Sequence, residues 1–217
     1  MPRSPRRGKM PDHAGDDIAL DREWGATLLA YFARFPAERG GVLVGKRSAG
    51  RVEITAAVFP PQQIATPVRC SFDTAVVEGV NDTLKAVEET RIGPYAPTVL
   101  GWVHSHPHMG VFLSAQDERT LTTWTDLDAD AVALVADPFA PEHQIAGWGR
   151  ACVPRRLWVG DDREALMLNQ GAKLADVLSG FARPGQGGLW DVVGCGAVVS
   201  VRVSRRRAAH HRTEENR

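Results

Sequence analysis

The chain runs to 217 residues, long enough for one domain with a substantial core and terminal extensions and short for two full-sized domains. Lys plus Arg balances Asp plus Glu at 26 each, so no global field recruits nucleic acid or an anionic membrane, and 43% apolar with 24% charged residues excludes disorder over most of the length. Cys70, Cys152 and Cys195 lie far apart with no Cys-x-x-Cys pair, which excludes a disulfide framework and a cysteine-rich structural zinc site and fits a reducing cytoplasm.

Residues 1–17 are rich in Pro, Gly and charge and read as a flexible tail. Arg3, Arg6, Arg7 and Lys9 are followed by Pro-Asp-His-Ala-Gly-Asp-Asp rather than an apolar run, so the core of a secretory signal is missing. Trp24, Leu28, Tyr31, Phe32 and Phe35 then recur at helical spacing, predicting an amphipathic helix from Asp21 to about Phe35 that Pro36 closes. Glu38 therefore falls just beyond a helix end. Gly41–Gly45 and Arg51–Phe59 read as a hairpin across residues 46–50, and Val76, Val77, Val80, Leu84 and Val87 mark a second helix within Thr74–Thr90. Thr98–His104 reads as a buried strand, a third helix starts near Ser114, and Ala131–Ala136 and Gln144–Val153 are further strands. Helices and strands mix without regular βαβ alternation, which predicts an α+β layer arrangement.

Beyond Pro154 the pattern weakens to a helix over Arg163–Phe181, a linker at Gly185–Gly188 and a strand over Val192–Val203. Arg202, Arg205, Arg206, Arg207 and Arg212, beside His210 and His211, read as a solvated basic tail. The longest apolar stretch, Leu189–Val203, is interrupted by Asp191 and Arg202 and is shorter than the roughly 20 residues of a spanning helix, so a soluble protein is expected.

Chemistry concentrates in Gly101-Trp-Val-His-Ser-His-Pro-His-Met-Gly-Val-Phe-Leu-Ser-Ala-Gln-Asp117. Residues two apart on a strand share a face, so His104 and His106 point the same way, and Pro107 and Gly110 let the chain leave and return. Ser114 and Asp117 have the spacing of a helix cap. Asp117 also shares a helical face with Leu121 and Trp124, which turns its carboxylate inward, where it needs a cation or strong donors. Two neutral imidazoles and a carboxylate form a normal three-ligand set for catalytic zinc, with the fourth position left to water. From these residues alone, a metal site and a pair of satisfied structural histidines both remain open. Trp102 is expected on the strand face opposite His104, packed in the core. His108 and His143 read as loop or turn residues, and Cys70 and Cys152 as buried small hydrophobes.

His104-x-His106-Pro107, followed by Ser114-x-x-Asp117, resembles the JAMM signature of the JAB/MPN family of zinc metalloproteases, and Glu38-Arg-Gly-Gly41-Val-Leu43-Val-Gly45 resembles the segment that carries the family's catalytic glutamate. Gly101-Trp102 and Ala133-Leu-Val-Ala-Asp137-Pro138 agree with the flanks, and the resemblance spans about residues 20–153. It implies a cytidine-deaminase-like MPN arrangement, a mixed central β-sheet flanked by helices. The implied division is a tail at 1–17, a prokaryotic-type JAB/MPN metalloprotease domain at 18–153 and an extension of unassigned role at 154–217.

The same resemblance implies one zinc ion with a bound water, held by His104, His106 and Asp117. Glu38 would be the general base, where sequence alone suggests an ordinary exposed acid, and Ser114 would donate to the oxyanion. The implied substrate is the amide bond after the C-terminal Gly-Gly of a ubiquitin-like protein or of a sulfur-carrier β-grasp protein of the ThiS/MoaD kind. Pro60–Arg69 is the best place for a loop that contacts it. Neither nucleic acid nor a membrane is implied as a partner, and an oligomer is compatible with the sequence. Two other branches compete: a non-catalytic MPN scaffold, whose members usually lack a ligand, and the DNA-linked RadC-like proteins, from whose His-Asn-His-Pro-Ser-Gly motif residues 104–109 depart.

Overall fold

The computed structural model describes residues 17–48, 51–89, 97–160 and 188–203. The helix expected over 163–181 and most of both basic tails lie outside the described residues. Eleven strands are described, β1 (Asp17–Asp21), β2 (Gly40–Ser48), β3 (Arg51–Phe59), β4 (Ile64–Thr66), β5 (Arg69–Ser71), β6 (Thr98–Ser105), β7 (Val132–Ala136), β8 (Ile145–Gly149), β9 (Val153–Gly160), β10 (Gly188–Gly194) and β11 (Ala197–Val203). With them run helices α1 (Arg22–Phe32), α2 (Ala75–Glu89) and α3 (Ala115–Leu127). The fold is α+β, as expected. Among the described residues no helix is long and apolar enough to cross a membrane.

Nine strands form one mixed sheet in the order β1-β9-β8-β7-β6-β2-β3-β10-β11, and β4 and β5 pair separately. One edge of β3 serves two neighbours in turn, with Arg51–Ile54 pairing to β1 and Ala57–Phe59 to β10. Because β1 also pairs with β9, the first seven strands in that order close on themselves, and β10 and β11 extend from the ring.

Strand alternation separates two cores. Leu43, Ala57, Phe59 and Val103 pack with Trp24, Leu28, Tyr31 and Phe32 of α1. Their neighbours Val42, Val44, Ala56 and Val58 pack with Val76, Val80 and Leu84 of α2 and with Trp190 and Val192 of β10. Leu121 of α3 packs on Trp102 and Ala133. Asp21 caps α1 by accepting from the N–H groups of Glu23 and Trp24.

Three expectations change. The single strand over 144–153 is two strands, β8 and β9, because Ala151 and Cys152 adopt φ of 57° and break the extended run. The single strand over 192–203 is instead the end of β10, a turn at Cys195 and Gly196, whose φ is 68°, and the whole of β11. The loop after β3 carries the β4–β5 hairpin. Residues 153–160 and 188–203 thus build into the same sheet as β2 and β6.

Candidate metal centre

Register brings the separate motifs together. In the β2–β6 pair Gly40 lies opposite His104, so Glu38, two residues before Gly40, lies across from His106, two residues after His104. The pairing continues past both strand ends: the Ser105 N–H donates to the Arg39 carbonyl at 3.1 Å, and the Arg39 N–H donates to Ser105 Oγ at 3.1 Å. On the other side of β6, the His106 N–H donates to the Ala136 carbonyl at 2.8 Å and extends the parallel pair with β7. That pair depends on Gly101, where φ is 146° and a Cβ would overlap the Val132 carbonyl.

The chain then loops from Pro107 to Leu113 and enters α3 at Ser114, whose hydroxyl and N–H form a capping box with Asp117. The cap and the metal reading of Asp117 hold together. Asp117 Oδ1 lies 3.4 Å from His104 Nε2, Oδ2 lies 3.6 Å from His106 Nε2, and the two Nε2 atoms are 2.8 Å apart. One ligand atom from each of the three residues falls within 4.8 Å of the others. Both imidazoles are buried, and their Nδ1 atoms have no hydrogen-bond partner. Two buried ring nitrogens and a carboxylate aimed at one point suit a divalent cation of the zinc type.

Charge states agree with that donor set. Burial holds His104 below its ordinary value and favours the neutral imidazole, although Asp117 pulls the other way. Burial opposes ionisation of Asp117, but bonds from His104, His106 and Ser114 outweigh it and hold the carboxyl below the ordinary carboxylate range. Glu38 is 5% exposed, not the exposed acid that sequence alone suggests, because β2 carries it down beside β6. Its Oε1 stands 3.8 Å from His106 Nε2. Burial pushes its pKa up to about 7; the His106 imidazole opposes this and the Asp117 charge adds to it.

The five residues singled out from sequence, Glu38, His104, His106, Ser114 and Asp117, all line one groove of about 920 Å³. Trp102 lines it too, and here the expectation is corrected. Residues 102 and 104 are two apart and share a strand face, so the indole packs on the His104 ring with centroids 4.9 Å apart. His108 is exposed and stacks on Phe139 at 4.0 Å.

Two contributors escape sequence reasoning. Asp137, 1% exposed, accepts from the N–H groups of His108, Gly110 and Phe139 and so anchors the loop after the histidines. An Asp-Pro at the end of a buried strand was the available signal. Cys70 lines the same groove as Glu38, beside Gly40, and burial pushes its thiol up. No local pattern marks it.

Comparison with known proteins decides the family. The model for prokaryotic homologues of the JAB domain matches residues 26–148, more than half of the chain, and all five site residues lie inside that span. The chain belongs to that family. Its JAB domain is 33% identical over 107 residues to the probable ubiquitin thioesterase DG1039 of Dictyostelium discoideum, covering 48% of this chain and 13% of that protein. It is 31% identical over 110 residues to the AMSH-like protease of Mus musculus, covering 51% and 22%. To the ubiquitin carboxyl-terminal hydrolase RPN11 of Saccharomyces cerevisiae it is 32% identical over 108 residues, covering 49% and 33%. This JAB-domain chain therefore spans a third or less of the length of these curated relatives.

Proposed function

We propose that this chain is a zinc-dependent metallopeptidase that hydrolyses the amide bond after the C-terminal Gly-Gly of a ubiquitin-like or sulfur-carrier β-grasp protein. The observation that carries the reading is the convergence of His104, His106 and Asp117 beside a buried carboxylate, Glu38, whose pKa is pushed up to about 7. His104, His106 and Asp117 would hold one zinc ion, which supplies Lewis acidity and acidifies a water to a pKa of about 7.

Glu38 then takes a proton from the attacking water and delivers it to the leaving amine, a cycle suited to a carboxyl poised near neutrality. Ser114 Oγ accepts from the Asp117 N–H at 3.2 Å, which leaves its hydroxyl hydrogen free to donate to the substrate oxyanion. Val68, Phe112 and Leu127 are exposed apolar residues on the groove's lining, a pattern that fits a protein substrate. Among the described residues β5 pairs only with β4, so its other edge is open to an extended tail by strand addition. Glycines in that tail suit a site where the substrate backbone must come close to the metal. Three free thiols support a cytoplasmic setting.

The test incubates the protein with a panel of Gly-Gly-tailed β-grasp fusions and compares it with Glu38→Gln, while zinc is measured in both. Cleavage abolished in the variant with zinc retained supports the reading, and cleavage that survives the substitution removes Glu38 as the base. A protein without stoichiometric zinc that cleaves no fusion is instead a binding scaffold.

A further inference from the structure

Alternation turns neighbouring residues of the site strands to opposite faces. Glu38 and Gly40, like His104 and His106, line the groove, so Arg39 and Ser105 between them face the other way. On that far face the Arg39 guanidinium is held from several sides. It lies 4.5 Å from the Phe35 ring centroid, donates through Nε to the Tyr31 hydroxyl and donates through Nη2 to Asp191 Oδ2 at 3.1 Å. Tyr31 closes the triangle by donating to the same Oδ2 at 2.9 Å. Asp191 is buried and is itself fixed, opposite Phe59 of β3 and Ser200 of β11, with Oδ1 accepting from Ser200 at 2.6 Å. Its hairpin lies beyond the 26–148 span that contains the five site residues.

We infer that Asp191 is a positioning residue for the site: by fixing the Arg39 side chain behind β2, it holds the chain end that carries Glu38 against His106. The inference rests on Glu38 being the base. The paired residues of β2 and β6 begin at Gly40 and His104, so Glu38 lies outside the ladder. Its place depends on the Glu38 N–H bond to the Thr66 carbonyl at 2.8 Å and on the two 3.1 Å bonds that join Arg39 to Ser105. A long side chain on that residue would swing freely if it had no partners, and its backbone with it. The planar guanidinium instead stacks on one ring and donates to two fixed oxygens, which removes that freedom before substrate arrives. A purely structural ion pair would stabilise the fold to the same extent without setting where Glu38 stands.

Arg39→Met combined with Asp191→Leu separates the two roles, because it breaks the link while leaving no buried charge unpaired. The double variant and Asp191→Asn would be assayed beside wild type on the Gly-Gly fusions, with melting temperature and bound zinc measured in each. Asp191→Asn keeps an acceptor oxygen for Arg39 and Tyr31 and should hold kcat within about twofold. The double should melt within about 5 °C of wild type, yet its kcat per bound zinc should fall about tenfold or more with KM within about twofold. Wild-type kcat in the double overturns the inference. A second readout needs no activity. Amide exchange followed by peptide mass should be about tenfold faster over residues 37–42 and 103–107 in the double, and a change confined to 188–203 overturns the inference. If the double does not fold, Tyr31→Phe, a milder break of the same triangle, takes its place in both measurements with about a threefold effect. Should wild type cleave none of the fusions, the enzyme reading fails, and amide exchange alone decides whether Asp191 holds that strand end.

Discussion

Ser114 and Asp117 hold each other: the Ser114 N–H donates to Asp117 Oδ2 at 2.8 Å, and the Asp117 N–H returns a bond to Ser114 Oγ at 3.2 Å. One helix cap therefore aims a carboxylate at two imidazoles. Ser114→Ala keeps the backbone donor and loses the hydroxyl, so it should cost about 1 kcal/mol of stability and retain zinc. On the proposed mechanism its kcat should fall by about 10²–10³ through loss of the oxyanion donor. Denaturant melts, metal analysis and kinetics on one preparation check all three, and a drop in kcat of less than about threefold would leave Ser114 as a cap alone.

Removing the metal should act on stability as well as on activity. A ligand that binds only the folded state stabilises it by about 2.7 kcal/mol at a hundredfold excess over Kd, which for a chain of this size is on the order of 5–10 °C in melting temperature. Zinc added to chelator-treated protein should raise Tm by that amount and saturate at one equivalent. Asp117→Ala should show no such rise, because it removes one of the three residues proposed to hold the ion.

The JAMM-like spacing and the strand before it could be read from sequence because they depend on local rules, strand alternation and a capped helix start. Glu38 was legible only by resemblance, since its burial depends on β2 lying in register with β6, a non-local fact. Thr66 of the β4–β5 hairpin accepts from the Glu38 N–H, and Arg39 reaches Asp191 across 152 residues, so neither contact leaves a local trace. Trp102 shares the His104 face because residues two apart on a strand point the same way. β1 was missed because Ile18-Ala-Leu20 is too short to show alternation before α1 begins.

Asp137 gives the fold a defined response to acid. Burial works against its charge, but the N–H donors of Phe139, Gly110 and His108 outweigh it and hold the carboxyl below its ordinary value. A depressed folded pKa stabilises above the unfolded carboxylate value of about 4, and that stabilisation disappears as pH falls through the folded value. Asp137→Asn should therefore cost about 2–3 kcal/mol at pH 7, and its gap from wild type should narrow below about pH 4. Urea melts from pH 7 to 3 measure the gap; a constant difference would assign the loss to geometry rather than charge.

Asp191 of β10 reaches across the molecule to the residue beside Glu38. Its Oδ2 accepts from Arg39 at 3.1 Å and from the Tyr31 hydroxyl at 2.9 Å, Oδ1 accepts from Ser200 at 2.6 Å, and Arg39 Nε also donates to Tyr31. Burial pushes the Tyr31 hydroxyl above its ordinary value, so it remains a donor to Asp191. The pair is largely buried, with Arg39 17% and Asp191 9% exposed, so Asp191→Ala strands a guanidinium and should cost about 3–5 kcal/mol. Tyr31→Phe removes one bond and should cost about 1–2 kcal/mol. If the ion pair itself carries the cost, Arg39→Met combined with Asp191→Leu should recover most of it, because replacing both charges leaves nothing unpaired. Denaturant melts of Arg39→Met, Asp191→Leu and the double close that cycle. Strictly additive losses would mean that the β10–β11 hairpin is held by its strand pairing and apolar packing rather than by this network.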